Sequence, residues 1–472
     1  MAKSRFSKVL GQSDVIVTAF GAMIGWGWVV SSGEWIQTAG VIGTILSFLI
    51  GGLIIFFVGL TYAELTTALP QCGGEHVFSF RAFGSVGSFI CSWALVLSYI
   101  GVVCFEACAL PTIIQYIYPP FLQGYLYTVA GFDIYATWLI TAIILAIIIT
   151  YINMRGIKTA AFVQKILTFV IAAVGILLVV ASLFTGKISN LDGQAFTGFG
   201  GFDSFKNILA IAVVTPFFLL GFDVIPQVAE EINIPLKKVG KLLLLSIVLA
   251  VTFYALVVFA VGFALNSTEL TNASKGAGLV TADAMAKAFN SNIMSKVLII
   301  GGMCGIVTSW NSFLIGGSRV IYAMGEANML PSIFSKLHPT RKTPKNAIIL
   351  VGILSIVSVF FGRQMLVWIS NSASFACCVA YCIVSMSFLV LRKKEPELER
   401  PYKIKHYKFV GIIASVLSGL LVVMYLIPNF ATALSTEEFI IIGGWTLLGI
   451  VFAISCKLKY KNKFGNIPNI EI

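Results

Sequence analysis

The sequence predicts an all-α, polytopic membrane protein with twelve transmembrane helices. Hydrophobic residues make up 58% of the chain and charged residues 11%, whereas soluble proteins carry about 25% charged residues. The mean hydropathy is +0.95. Apolar runs of roughly 17 residues or more, the length that a helix needs to cross a bilayer, recur along the whole chain. These observations exclude a single soluble core.

The apolar runs define the expected spans in chain order. They lie near residues 12–36, 41–68, 86–117, 134–152, 161–184, 206–229, 241–264, 294–322, 346–361, 366–391, 409–428 and 438–456. We expect both chain ends, 1–11 and 457–472, and the connector 392–408 to face the cytoplasm.

The distribution of basic residues supports this orientation. Of the 32 Lys and Arg residues, the expected outer segments hold only Lys187, Lys206, Lys275, Lys287, Lys296 and Arg363. Such an excess of positive charge on inner segments predicts a multi-pass protein of the plasma (inner) membrane with both termini cytoplasmic. The net charge of +12 is therefore a topology signal, and no nucleic-acid partner is expected.

The first expected span is interrupted in its middle. Gly21, Gly25 and Gly27 fall within seven residues of the stretch TAFGAMIGWGWVVSSGEW at 18–35. Irregular backbone survives at membrane depth only where it lines a protein cavity, and the freed peptide groups can then hold a small polar solute. Close helix packing on the glycines is the alternative.

The sixth expected span has a second interruption. Pro216, Gly221 and Pro226 break the stretch 215–229, with Asp223 between them. Breaks in the first and sixth spans are typical of two inverted five-helix repeats. We expect these repeats at 12–185 and 206–391, followed by two peripheral helices at 409–456.

Four segments in order resemble the amino acid–polyamine–organocation (APC) superfamily of permeases. They are the glycine break, ELTTALPQCGGEHVFSFRAFG at 64–84, GFDVIPQVAEE at 221–231, and SRVIYAMGEANMLP at 318–331 followed by LHP and KTPKNA. His76 stands where the family more often has Tyr, and 230–235 departs from the usual Asn-Pro. The resemblance implies the leucine-transporter-like fold, with the substrate between the breaks of helices one and six.

The same resemblance implies a set of substrate-binding groups. The amides around Gly25, Trp26 and Gly27 would receive a carboxylate, and the carbonyls of Met23, Phe217 and Phe218 an ammonium. That division agrees with the preference of helix N-termini for anions and of C-terminal carbonyls for cations. The implied substrate set also includes Ile24, Gly221, Asp223 and Glu106.

Placing an ionisable residue inside a membrane span costs free energy, so each such residue is expected to have a functional or structural role. Asp223 could bind a substrate amine, carry a proton or lock the broken helix, and Glu106 could bind a cation, titrate or be structural. Glu64 and Glu230 are expected at inner ends, as gate clamps or helix caps. His76, His338 and His406 all map to inner loops, so no histidine relay is expected.

Ion coupling has two possible carriers. In sodium-coupled relatives, carbonyls of helix one and hydroxyls of helix eight coordinate the ion, which corresponds here to Gly21, Ile24, Gly305, Thr308 and Ser309. The hydroxyls could equally bond back to their own helix. The second possibility is a proton on Asp223 or Glu106.

The sequence therefore predicts a secondary active transporter, not an enzyme, that moves amino acids or related amines by alternating access, with ion coupling or exchange. The alternatives are a polyamine- or ethanolamine-type amine permease, a proton-coupled antiporter and a transporter-derived sensor. The expected partners are the small-molecule substrate, Na⁺ or H⁺, and the lipid bilayer. We expect no cofactor, and no disulfide-linked heavy subunit because outer segment 118–133 lacks cysteine.

Overall fold

A computed structural model describes residues 6–198, 202–275, 278–428, 430 and 432–467, with the backbone alone at 363–366. The helices in these ranges are α1 (Gln12–Met23), α2 (Gly27–Val30), α3 (Ser32–Ala39), α4 (Val41–Ala68), α5 (Glu75–Ile117), α6 (Ala136–Met154), α7 (Ile157–Thr185), α8 (Phe202–Phe218), α9 (Val224–Gln227), α10 (Leu236–Ala264), α11 (Ser267–Lys275), α12 (Val280–Phe289), α13 (Asn292–Glu326), α14 (Lys345–Ser358), α15 (Gly362–Lys394), α16 (Tyr407–Leu426) and α17 (Thr436–Tyr460). The strands β1 (Tyr125–Val129) and β2 (Phe132–Tyr135) form one hairpin.

Nine helices within the described ranges are long and apolar enough to cross a membrane. They are α4, α5, α6, α7, α10, α13, α15, α16 and α17. The other expected spans correspond to the interrupted segments α1–α3 and α8–α9 and to a shorter apolar helix, Lys345–Phe361. The chain is thus an all-α polytopic membrane protein apart from its small hairpin.

The first expected span is broken where the glycines cluster. Helix α1 ends at Met23, and Ile24 leaves helical geometry with φ −99° and ψ 78°. Helix α2 begins at Gly27 and runs on toward α3, since the Ser31 amide donates to the Gly27 carbonyl at 2.8 Å. The predicted interruption is therefore present.

The sixth expected span is broken as well. Helix α8 ends at Phe218 and α9 begins at Val224, with Gly221 at φ +130° between them. A Cβ added to Gly221 would lie 2.5 Å from the Cβ of Ala22 and 3.0 Å from the amide nitrogen of Met23. Only glycine allows this approach, and it brings the two breaks into direct contact.

The start of the third expected span differs from the sequence interpretation. Helical structure begins at Glu75, not near residue 86, and continues to Ile117 with one non-helical residue, Gly84. Gly73 and Gly74 supply the turn before it, with φ +90° and +28°. His76 is consequently buried inside the protein at 1% exposure, so its assignment to an inner loop was wrong.

Two connecting segments contain structure that their polarity did not reveal. The segment 118–135 forms the β1–β2 hairpin around Ala130 and Gly131, both with positive φ, as tight hairpin turns require. The segment 265–293 contains α11 and α12. Thr281 of α12 donates to the carbonyl of Trp28 at 2.9 Å, which ties this segment to the first broken span.

Both ends of the described chain attach to the same end of α13. Leu10 forms a parallel bridge with Ile232, and Phe6 packs edge-on against Tyr322 at 5.4 Å between ring centroids. The Gly465 amide donates to the Ala327 carbonyl at 2.7 Å. We call this the terminal end of the molecule, and the opposite end, which carries β1 and β2, the hairpin end.

Candidate functional site

The two breaks border a cavity of about 190 Å³, below the roughly 300 Å³ that marks the lower limit for drug-sized ligands. Its wall is mostly apolar. It consists of Ala22, Met23, Gly25, Trp26, Gly27, Val30, Ser31, Val102, Phe105, Glu106, Phe217, Phe218, Leu220, Tyr254, Ser309, Phe313 and Ser370. The site is therefore sized for a small solute with apolar surface.

Seven residues of the expected substrate set lie in this wall. They are Met23, Gly25, Trp26, Gly27, Glu106, Phe217 and Phe218. The break places the amides of Gly25 to Gly27 at the start of a half-helix, where N–H groups lack intrahelical partners. The wall therefore combines peptide dipoles with one carboxyl group.

Glycines fix the positions of the aromatic side chains in the wall. A Cβ on Gly302 would lie 2.3 Å from the ring of Trp26, and one on Gly27 would lie 2.5 Å from the ring of Phe218. Phe217 and Phe218 contact each other edge-on at 5.1 Å. The absence of side chains at the two glycines thus allows these rings to enclose the cavity.

Glu106 is the carboxyl group of the cavity. It is 4% exposed, and its Oε2 has no hydrogen-bond partner within the described residues. Its Oε1 would lie 3.3 Å from a Cβ on Gly25, and Ser309 borders the same position. A buried acceptor without a donor is energetically costly, so the Oε2 atom of Glu106 is available to a ligand.

Tyr254 of α10 is the clearest site residue that the sequence analysis missed. Its hydroxyl donates to the Met23 carbonyl at 3.0 Å, and its ring stacks on Phe48 at 4.8 Å. It therefore fixes the end of α1 while lining the cavity. It is the one tyrosine in α10, which was the available signal.

Three expected substrate residues lie outside the wall. Ile24 is fully buried with its carbonyl against Gly305, and Gly221 contacts Ala22. Asp223 is fully buried too, and its carboxylate accepts hydrogen bonds from the Gly221 amide at 2.9 Å and from two tyrosine hydroxyls. These belong to Tyr99 at 2.7 Å and Tyr381 at 3.0 Å.

The expected ion-site residues do not all face one point. The hydroxyl of Thr308 donates to the carbonyl of Gly305 at 2.9 Å, and Ser309 faces the cavity. Gly21 packs against Gln164 and Thr168 of α7. The amide of Gln164 donates to the carbonyl of Val17 at 3.3 Å and to the hydroxyl of Ser312 at 2.9 Å.

Acids near the terminal end hold connecting segments in place. Glu64 pairs with Arg392 at 2.7 Å and with Arg400 at 3.2 Å, and burial lowers the pKa of the Arg400 guanidinium below its usual value although Glu64 opposes the shift. Glu230 accepts from the Cys72 amide at 3.1 Å. Beside it, the sequence analysis missed the fully buried pair between Glu231 and Arg319 at 2.9 Å.

Comparison with known proteins identifies relatives across nearly the whole chain. The family model described as "Amino acid permease" matches residues 10–452. A branched-chain amino acid permease of Bacillus subtilis (strain 168) is 26% identical over 452 residues, covering 94% of this chain and 91% of that protein. From the same organism, a methylthioribose transporter is 25% identical (97% and 95% covered), and an aspartate-proton symporter is 25% identical (89% and 80% covered).

These relatives are transporters, and the matched residues 10–452 include both breaks and the cavity wall. The resemblance to APC permeases is thereby confirmed. The chain belongs to the amino acid permease family, as a multi-pass membrane transporter and not an enzyme.

Proposed function

We propose that this protein is a secondary active transporter of amino acids that works by alternating access. In this proposal twelve spans form two inverted five-helix repeats at 12–185 and 206–391, with 409–456 as peripheral helices. The observation that carries the proposal is the contact between the two breaks, Gly221 against Ala22, beside a cavity lined by both. Interrupted helices of opposed repeats supply the binding dipoles in such transporters.

A bound amino acid would be oriented by the cavity's polar groups. Its carboxylate would accept hydrogen bonds from the amides of Gly25, Trp26 and Gly27. Its ammonium would bind the free Oε2 of Glu106 together with carbonyls at the ends of α1 and α8. Charge-assisted hydrogen bonds of this kind are stronger than neutral ones, which favours a zwitterion over an uncharged solute.

The rest of the wall selects for an amino acid with a small, uncharged side chain. Val30, Val102, Phe105 and Phe313 surround the space beyond the polar groups. A relative's name, branched-chain amino acid permease, agrees with this choice. A carboxylate-free amine is a second candidate, because the unpartnered Glu106 could pair with its ammonium without help from the amides.

The coupling ion in our proposal is a proton or a counter-transported substrate. Thr308 and Gly305, which would otherwise be ligands for Na⁺, bond to each other, and Gln164 occupies the space beside Gly21. Another relative is named as a proton symporter. Sodium therefore has less support as the coupling ion than a proton.

Counterflow in proteoliposomes tests the function directly. Vesicles loaded with unlabelled leucine, lysine, glycine or putrescine are diluted into a trace of the same labelled compound, with and without Na⁺. We expect transient accumulation of a small neutral amino acid, unaffected by Na⁺. Accumulation of putrescine alone would replace the amino-acid proposal by the amine permease, and the absence of counterflow for every compound would refute both.

A further inference from the structure

Two buried carboxyl groups lie between the cavity and the terminal end of the molecule, and neither belongs to the cavity wall. Glu75 is the first residue of α5, and Asp223 directly precedes α9. Both side chains are 0% exposed. Glu75 contacts Gln227 of α9, the short helix that Asp223 precedes. Tyr62 packs edge-on at 5.6 Å against Tyr381, which donates to Asp223, so the two groups share one environment.

This environment contains no cation among the described residues. Neither carboxyl forms an ion pair with Lys or Arg there. The titratable side chains that surround the pair are Tyr62 of α4, His76, Cys91 and Tyr99 of α5, and Cys377 and Tyr381 of α15. The His76 ring is engaged by the hydroxyls of Ser88 at 2.9 Å and Ser92 at 2.8 Å.

Two ionised carboxylates cannot share a dry site without a cation, because each lacks solvation and they repel each other. One of the two therefore carries a proton. The known pattern is that unequal surroundings decide which carboxyl ionises. Here the surroundings of Glu75 and Asp223 differ clearly.

Three donors converge on Asp223, from the Gly221 amide and the hydroxyls of Tyr99 and Tyr381. Hydrogen bonds to a carboxylate stabilise its charged form. Glu75 contacts one neutral amide, that of Gln227, through Oε2. Its Oε1 is buried, and Tyr62 is the hydroxyl that faces it. Fewer donors therefore converge on Glu75 than on Asp223, which favours the negative charge on Asp223.

We propose that Glu75 is a proton-binding site. It is neutral while the terminal end is closed, with α5 packed against α9, and ionised when that end opens and the two helices separate. The proton leaves the carboxyl for water on opening and returns on closing, with no other bond made or broken. This inference rests on the proposed alternating-access function. It assigns the coupled proton to a residue outside the substrate cavity.

The contacts of Glu75 explain why opening would ionise it. A Cβ on Gly74, the residue before α5, would lie 2.4 Å from the Cβ of Pro226, so the first turn of α5 abuts α9. Glu75 itself contacts Gln227 of α9. Any movement of α9 away from α5 therefore breaks this contact and admits water to the carboxyl.

Infrared difference spectroscopy on the purified full-length protein tests the protonation itself, without a transport assay. The carbonyl stretch of a protonated carboxylic acid is distinct from carboxylate and amide bands. Glu106 is a further buried carboxyl without an ion pair among the described residues, so every sample carries Glu106→Gln to remove its band. In this background we expect a band at neutral pH that Glu75→Gln removes and Asp223→Asn retains. Glu397→Gln, at an exposed position in the connector 392–408, is the matched control and should leave the band intact.

Counterflow at fixed external and varied internal pH tests the link to opening, with the terminal end facing the vesicle lumen. Because opening releases one proton, the equilibrium constant for opening should rise with pH. The rise should be up to about tenfold per pH unit between the pKa values of Glu75 in the open and the closed state. The wild-type rate should rise with internal pH, and Glu75→Gln should remove this dependence. Glu75→Asp keeps a titratable group and should restore the dependence with a moved midpoint.

The outcomes separate this inference from the proposed function. An unchanged band in Glu75→Gln, or its loss in Asp223→Asn, overturns the assignment whether or not transport occurs. An internal-pH dependence that persists in Glu75→Gln overturns the link to opening. If no compound shows counterflow in the wild type, the proposed function fails, while the infrared result still decides whether Glu75 holds a proton.

Discussion

Single residues determine the shape of the cavity through contacts that leave no space for an additional atom. Gly302 faces the ring of Trp26 and Gly27 faces the ring of Phe218. In both places a methyl group added to the glycine would clash with the ring. Tyr254 and Glu106 add the polar contacts. Substitutions at these positions should therefore affect transport more than their small size suggests.

Gly302→Ala should weaken substrate binding, because the new methyl group displaces the Trp26 ring by overpacking, at a cost of about 1–3 kcal/mol. The measurement is the apparent KM of counterflow for the best substrate. Gly443→Ala is the matched control, since a Cβ at Gly443 of α17 meets no atom within 4 Å. An unchanged KM in both variants would contradict the role assigned to the Trp26 ring.

Glu106→Gln should reduce affinity for any substrate that carries an ammonium group. A hydrogen bond to a charged group contributes about 1.5–3 kcal/mol, which corresponds to roughly a tenfold to hundredfold rise in KM. Uptake measured over a range of substrate concentrations gives this value. If the KM does not change although the protein folds, the ammonium does not bind at Glu106.

At the scale of elements, the buried pair Glu231–Arg319 joins the segment after α9 to α13. Both side chains are almost completely inaccessible, at 2% and 1% exposure. Glu231→Gln would leave an unpaired buried guanidinium, which costs about 3–5 kcal/mol. We expect a clear fall in the midpoint of thermal unfolding in detergent.

The pair Lys287–Glu269, between α12 and α11, is the control for that measurement. Burial raises the pKa of Glu269, but the hydrogen bond and charge of Lys287 outweigh it and hold this pKa below its usual value. Its small contribution is present at neutral pH and is lost as the pH falls through the lowered pKa. Exposed pairs contribute about 0–1 kcal/mol, so Glu269→Gln should barely change the midpoint, and an equal fall in both variants would refute the contrast.

Elements also show where sequence patterns stop being informative. The hydrophobic runs predicted α4 and α10 well because lipid requires continuous apolar helices. The first turns of α5 carry Glu75, His76 and Arg81, so they read as a polar loop. Inside the protein they are helical, because Glu75 contacts Gln227 of α9 and Arg81 pairs with Glu395. Local sequence does not contain this information.

At the scale of the whole molecule, both ends of the described chain attach to the same end of α13. The expected inner segments, which include both termini, hold all but six of the 32 Lys and Arg residues. Reporter fusions at the N-terminus and the C-terminus should both report a cytoplasmic location. If a membrane-impermeant reagent labels either terminus in intact cells, the expected cytoplasmic location of that terminus is wrong.

By itself, the sequence determined the membrane class, most span positions and the two interruptions, because hydrocarbon imposes strict rules on apolar length and on broken backbone. It also named seven residues of the cavity wall. Only the tertiary structure decided that the breaks touch, that Tyr254 completes the wall, and that Asp223 is held by tyrosines while Glu75 is left without a cation. These facts depend on contacts between side chains of helices that are far apart in the chain, and the hydrophobic periodicity of one helix does not predict such contacts.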